Sequence, residues 1–270
     1  MLPPEAVEAA ADLLADLRLR ANGRDAQLPD LPEGLRPDDM DDAYRVQEAL
    51  RGRLAKRGLG PVAGWKIGCT SPVMREYLGV PHPCMGTLYA KGVQRGTARL
   101  RHADFFRPGL ECELAVQLRA DLPAREGGHD AGSVRPAVAG AMTSVEIVDE
   151  RFEDFRRAGA ASLTADDFFS AGCVLGADRP ITVLPDLATL EGGFRVNGAK
   201  PEATGTGAAI LGHPLAALAW LADLRAAQGA PLREGQVVTL GSVVKTIHPG
   251  PGTVVEAVFT GLPPVRIEVV

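Results

Sequence analysis

The sequence predicts an α+β fold, a mixed β-sheet roll behind a helical N-terminal segment, on three observations. Apolar residues recur at helical spacing over the first sixty positions and again near 220. From Gly60 onward, short β-like runs are separated by Gly and Pro. Those runs are mostly not joined by regular helices, which argues against a Rossmann or TIM-barrel pattern. The expected division is a helical segment over 1–60 and a β-roll over 61–270.

Taken in order, Pro3-Pro4-Glu5 opens an amphipathic helix to about Leu19, with Pro in the first turn and acids near the N-terminus, where the helix dipole favours them. A loop rich in Gly, Pro and Asp follows. A second helix starts after Pro37-Asp38-Asp39 and runs to about Arg57, with Ala43, Val46, Leu50 and Leu54 on one stripe. Strands are expected at Val62–Ile67, Thr87–Tyr89, Leu114–Leu118, Ala137–Val148, Cys173–Leu175, Phe194–Val196, Val237–Leu240, Thr253–Phe259 and Val265–Val269. Among them Pro214–Ala227 reads as a helix, with Pro at its start, Leu215, Leu218, Leu221 and Leu224 at helical spacing, and Gln228-Gly229 as the stop. No internal repeat is found.

Composition narrows the function classes. The 270 residues are 46% hydrophobic and 23% charged, with a formal net charge of -5. Lys plus Arg number 29 against 34 Asp plus Glu with no basic cluster, so a nucleic-acid partner is not expected. Cys69, Cys84, Cys112 and Cys173 form no C-x-x-C pair, which speaks against a zinc site or disulfide framework and for a reducing, cytoplasmic setting. Charged residues throughout Met1–Ala21 exclude a secretory leader there, no apolar run is expected to span a membrane, and no membrane partner is expected.

The stretch most suggestive of chemistry is Glu111-Cys112-Glu113, set between Arg107-Pro108-Gly109-Leu110 and Leu114-Ala115-Val116. Two acids two apart in a strand point to one face, and paired carboxylates suit a hard divalent cation such as Mg²⁺. A third carboxylate must come from elsewhere, and a solvated strand face is the competing reading. Lys66, between Trp65 and Ile67 in an apolar strand, must find a carboxylate or lose its proton more easily; a snorkelling strand lysine is the alternative. Gly205-Thr206-Gly207 lacks the βα context and the Lys-Ser/Thr of a nucleotide cradle. His213 precedes Pro214 as a helix cap, and neither His102 nor His248 has a second His at ligand spacing.

Four ordered motifs carry a resemblance. They are Gly64-Trp65-Lys66-Ile67-Gly68-Cys69-Thr70-Ser71, the Glu-x-Glu strand, Val145-Glu146-Ile147-Val148-Asp149-Glu150-Arg151-Phe152, and Gly205-Thr206-Gly207-Ala208-Ala209-Ile210-Leu211-Gly212-His213-Pro214-Leu215. From about the second helix to the C-terminus, the chain resembles the 2-keto-4-pentenoate hydratase and 4-oxalocrotonate decarboxylase family of the fumarylacetoacetate hydrolase superfamily. The resemblance implies the superfamily's β-roll and a divalent metal, Mg²⁺ or Mn²⁺, on Glu111, Glu113 and Glu146. Asp149 and Glu150 compete for the third place, but Asp149 lies three residues past Glu146 and so on the other strand face. The resemblance also implies catalytic roles for Lys66 and Asp166 and substrate contacts for Ser71, Thr206 and Ser242. Ser71 and Thr70 are alternatively caps for a helix beginning near Pro72.

The implied activity is hydration of 2-hydroxypenta-2,4-dienoate to 4-hydroxy-2-oxopentanoate. Decarboxylation of 4-oxalocrotonate (2-oxohex-3-enedioate) is the alternative, and an inactive oxo-acid-binding or scaffold paralogue is the alternative of another class. A homo-oligomer, alone or complexed with a sister hydratase or decarboxylase, is implied as well. The chain departs from the family pattern in three places. Cys84 stands where some relatives carry an acid, Asp167-Phe168-Phe169 stand where relatives often carry Asn and small residues, and Lys245 is an unassigned cation placed toward the cleft.

Overall fold

The computed structural model describes residues 1–20 and 27–270; the loop expected between the first two helices falls partly outside the described residues. In chain order the elements are α1 (Pro4–Leu19), α2 (Met40–Leu54), β1 (Val62–Gly68), α3 (Pro72–Leu78), β2 (Cys84–Tyr89), β3 (Val93–Arg95), β4 (Thr97–Leu100), β5 (Pro108–Leu118) and α4 (Ala131–Val134). They continue as β6 (Val138–Asp149), α5 (Phe155–Ala165), β7 (Ser170–Leu175), β8 (Arg179–Pro180), β9 (Glu191–Val196), β10 (Thr204–Thr206), α6 (Pro214–Ala227), β11 (Val237–Ser242), β12 (Val254–Phe259) and β13 (Leu262–Val269).

An eight-stranded mixed sheet runs β2-β1-β11-β5-β6-β7-β3, with β8 paired to β6, and a second sheet of five strands runs β10-β9-β12-β13-β4. The larger sheet curls until β2 returns against β7. The Ser170 hydroxyl donates to Thr87 O at 2.7 Å across that closure. The architecture is the expected α+β roll, and β5 and β6 are its longest strands at 11 and 12 residues.

Alternation along each strand assigns one face inward and one outward. The outward row includes Trp65, Ile67, Leu114, Val116, Val145, Ile147, Val238 and Leu240. It packs beneath α6, through Leu215, Leu218 and Leu221, and against Val255, Ala257, Val265 and Ile267 of the second sheet. Each such large side chain removed from water stabilises the fold by about 1.5–3 kcal/mol. Gly207–Ala227 is, by length and composition, apolar enough to cross a membrane, contrary to the sequence expectation; half of its apolar window is buried inside the molecule, as suits a core helix.

Helix α1 begins with Pro in its first turn and has no side-chain cap, whereas α2 is capped. Asp39 accepts a hydrogen bond from Asp42 N at 2.8 Å to open α2. Its α-helical part ends at Leu54 and runs on into a wider helical turn, Ala55–Leu59, where helical geometry breaks at Arg57 and at Gly58 (φ +109°), near the expected end. The two helices share a core with α5 and the site end of β1 and β2, in which Ala10, Leu14, Leu50, Leu54 and Leu163 meet Cys69, Cys84 and Phe168.

The longest element not expected from sequence is α5, whose interior Gly159 sits at φ +74° and breaks its apolar period.

A buried carboxylate cluster and its lysine

Strand register determines what lies inside the roll. Directly opposed residues share a face, so β5 and β6 set Glu111 opposite Glu146 and Glu113 opposite Ser144. On β1, Lys66 aligns with Thr239 of β11 and Gly86 of β2. Below these polar groups lies an apolar floor of Leu88, Ala115, Met142, Cys173, Leu175 and Val237. Cys112 points outward into the main core. One carboxylate oxygen from each of Glu111, Glu113 and Glu146 lies within 4.8 Å of the others.

Each acid is held by a separate partner. Thr246 Oγ1 donates to Glu111 Oε1 at 2.6 Å, the Gly241 amide to Glu113 Oε2 at 3.1 Å, and Thr239 Oγ1 to Glu146 Oε2 at 3.1 Å. Gly241 must be glycine, for it has φ +130° and a Cβ there would lie 2.4 Å from Thr70 Oγ1. The Lys66 ammonium forms an ion pair with Glu146 Oε1 at 2.9 Å, with both side chains essentially out of water. Glu113 Oε1 and Ser144 Oγ are buried with no hydrogen-bond partner among the described residues.

Electrostatics follow from three carboxylates facing one ammonium. Burial pushes Glu113 well above the usual carboxylate range, with Glu146 and then Glu111 adding to it. Burial likewise raises Glu146, Lys66 draws it back, and it comes to about 7. Burial favours neutral Lys66, but Glu146, Glu111 and Glu113 outweigh it and hold the ammonium protonated above its ordinary value. The donor set is entirely oxygen, is excluded from water and has an unpartnered carboxylate oxygen, which fits a hard divalent cation such as Mg²⁺.

The other sequence candidates are not part of the acid cluster, although Ser242 of β11 stands in register with Glu113 beside it. Asp166 is at the end of α5 and accepts from Arg151 Nε at 2.6 Å; its charged neighbours are Arg151, Arg18 and Asp167. Ser71 caps α3, accepting from Met74 N at 3.3 Å. Ser242 Oγ donates to Val244 O at 2.7 Å. Thr206 is exposed at the end of β10, beside a Gly205 that lies against Val243 O. Asp149 faces away from the cluster and accepts from Arg107 N at 2.9 Å, and Glu150 pairs with Arg107. Lys245 is exposed on the loop after β11. His213 caps α6 by accepting from Leu215 N at 3.0 Å.

Sequence reasoning missed Ser144, Thr239, Gly241 and Thr246, which surround the acids. Only Ser144 left a sequence trace, two residues before Glu146 and therefore on its face.

The rolled mixed sheet has the fold of fumarylacetoacetate hydrolase-type proteins. No protein-family model matches it. The 2-keto-4-pentenoate hydratase of Burkholderia vietnamiensis is 34% identical over 254 residues, covering 94% of this chain and 87% of the relative. The 4-oxalocrotonate decarboxylase of Pseudomonas putida is 31% identical over 260 residues, covering 96% and 94%. Among solved structures, the 4-oxalocrotonate decarboxylase of Pseudomonas putida G7 complexed with magnesium and adipate superposes with a TM-score of 0.89 at 28% identity, covering 100% of this chain and 99% of that one. The chain belongs to the family of 2-keto-4-pentenoate hydratases and 4-oxalocrotonate decarboxylases.

Proposed function

We propose that this chain is a metal-dependent hydro-lyase that adds water to 2-hydroxypenta-2,4-dienoate, with Glu111, Glu113 and Glu146 holding Mg²⁺ or Mn²⁺. The observation carrying the proposal is the buried three-carboxylate cluster with Lys66 in ion-pair contact at 2.9 Å. When bound, the cation supplies Lewis-acid polarisation of the substrate's 1-carboxylate and 2-oxygen. Lys66 keeps a proton at Nζ beside the acids, and the terminal carbon C5 takes up a proton as the dienol becomes the conjugated ketone. That ketone is electrophilic at C4, where water adds to give 4-hydroxy-2-oxopentanoate. Thr239, Gly241 and Thr246 keep the carboxylates from turning out of register.

A second reading, loss of CO₂ from 2-oxohex-3-enedioate, is supported by the TM-score of 0.89 to the decarboxylase. The scaffold reading has less support, because a buried cluster of like charges costs stability and is retained where it serves a ligand. Four free, buried cysteines support a reducing, cytoplasmic setting. We also propose a homo-oligomer, which sedimentation of the purified protein would test.

Ultraviolet assays with Mg²⁺ or EDTA, on each substrate separately and with CO₂ followed in parallel, test the choice. Metal-dependent loss of the dienoate chromophore without CO₂ supports hydration. Release of CO₂ from the diacid establishes the second reading, and silence on both with Mg²⁺ present overturns both.

A further inference from the structure

The sheet face that presents Lys66 also carries two glycines, and the segment after α5 fills the space they leave. In the β1–β2 register Lys66 opposes Gly86 and Gly68 opposes Cys84. A Cβ on Gly68 would lie 2.4 Å from the Phe168 ring, and one on Gly86 would lie 2.4 Å from Asp167 O and 2.9 Å from the stem of Lys66. The ring centroid of Phe168 is 5.0 Å from Lys66 Nζ, within cation–π range.

This placement is held against strain. Asp167, Phe168 and Phe169 have φ of +64°, +46° and +64°, a left-handed run that L residues rarely adopt. Such a run persists only where its surroundings determine it. Here Asp167 Oδ1 accepts from Thr87 N at 2.7 Å and Oδ2 from Arg18 Nη1 at 2.9 Å, while Phe168 N donates to Leu163 O at 2.8 Å. The N-terminal helix thus reaches the site through Arg18.

From Phe168 an aromatic series leads outward. Ring centroids are 5.4 Å apart to Phe169, 5.7 Å on to Phe155 and 6.2 Å on to Tyr77, which is 44% exposed. Among the described residues the arginines near this series are already engaged: Arg18 on the Asp167 carboxylate, Arg156 over Tyr77 and Phe155, and Arg75 on Cys69 O and Thr70 O. A substrate seated at the carboxylates with its far carbon near Lys66 therefore meets an aromatic ring before any free cation.

We propose that Phe168 is the residue that gauges the substrate's distal end, admitting 2-hydroxy-2,4-dienoates with no tail or a one-carbon tail at C5 and excluding longer or carboxylate-ended ones. The inference rests on the hydratase reading and names its substrate class. A π face offers no counter-charge to a distal carboxylate, and Lys66 is already committed to Glu146. One methylene misfit in an apolar pocket changes kcat/KM by roughly 10- to 200-fold.

The test compares wild type, Phe168→Leu and Phe168→Ala, each loaded with Mg²⁺, on dienoates whose C5 tail grows from none to three carbons. Binding of saturated 2-oxo acids of matching length, read as a shift in melting temperature, provides a measurement that needs no turnover. In wild type, kcat/KM is expected to fall at least about tenfold beyond one carbon. Phe168→Ala is expected to flatten or invert that order, while Phe168→Leu, which keeps an apolar wall and guards against misfolding of the alanine variant, retains most of it. A loss equal for all lengths, or binding whose length dependence is the same in all three proteins, overturns the proposal. If wild type turns over no dienoate but binding still depends on length and shifts in Phe168→Ala, the hydratase reading fails and the gauge stands.

Discussion

Replacing Glu113 by Gln is expected to stabilise the metal-free protein and to remove most of the stabilisation that Mg²⁺ gives. Its side chain is buried, and one of its oxygens lies within 4.8 Å of an oxygen from each of two other acids. At that spacing each like-charge pair repels by about 3 kcal/mol at an effective dielectric near 20. Attraction to Lys66 offsets part of this, and the raised pKa of Glu113 already neutralises part of the charge. A net relief between zero and about 3 kcal/mol in EDTA follows, which raises the melting temperature by up to roughly 6–10 °C for a chain of this size. With Mg²⁺ at a hundredfold excess over its dissociation constant, wild type gains about 2.7 kcal/mol, or roughly 5–10 °C, and most of that gain is lost in the variant. Scanning calorimetry of both proteins in EDTA and in Mg²⁺ reads all four values. A variant several degrees less stable than wild type in EDTA, with an undiminished Mg²⁺ response, would refute the reasoning.

The remaining predictions concern the same cluster and its supports. In metal-free protein Glu146 titrates at about 7 against an ordinary 4.5, so the native state binds the extra proton between those values. Stability from this group is therefore greatest below pH 4.5 and falls, by on the order of 3 kcal/mol, as pH rises to 7. Urea titrations across that window should show the slope, and Glu146→Gln should flatten it. Lys66→Met is expected to cut kcat by about 10²–10⁴ while enlarging the Mg²⁺-induced stabilisation, since the one cation paired to these acids among the described residues is gone; near-normal turnover would remove Lys66 from the chemistry. Gly241→Ala forces a Cβ against Thr70 and loosens the amide that holds Glu113, at about 1–3 kcal/mol, and should weaken Mg²⁺ binding as well as lower the midpoint of denaturation.

How much of this was legible in the sequence depended on the range of the interaction. Glu111 and Glu113 share a face by strand periodicity alone, and Lys66 in an apolar run announced a buried charge needing a partner. That the partner is Glu146, and that Glu146 opposes Glu111, depends on register between β5 and β6 and on the curling of the sheet, which no local pattern encodes. Thr239, Thr246 and Ser144 are ordinary strand and loop hydroxyls until register brings them to an acid. Helix α5 was hidden by Gly159, and β3, β4, β8 and β10 are too short for periodicity to register. Asp167, a departure from the family pattern in sequence, is a buried anchor between Arg18 and Thr87. Lys245, placed toward the cleft from sequence, is exposed to solvent.

The most direct measurement is a Mn²⁺ titration of the metal-free protein followed by electron paramagnetic resonance, on wild type and on Glu111→Gln and Glu146→Gln. One tight ion per chain in wild type, weakened by at least about tenfold in each variant, is the outcome expected of a cluster built to hold a divalent cation. Mn²⁺ that binds all three proteins alike, or none of them, would contradict it.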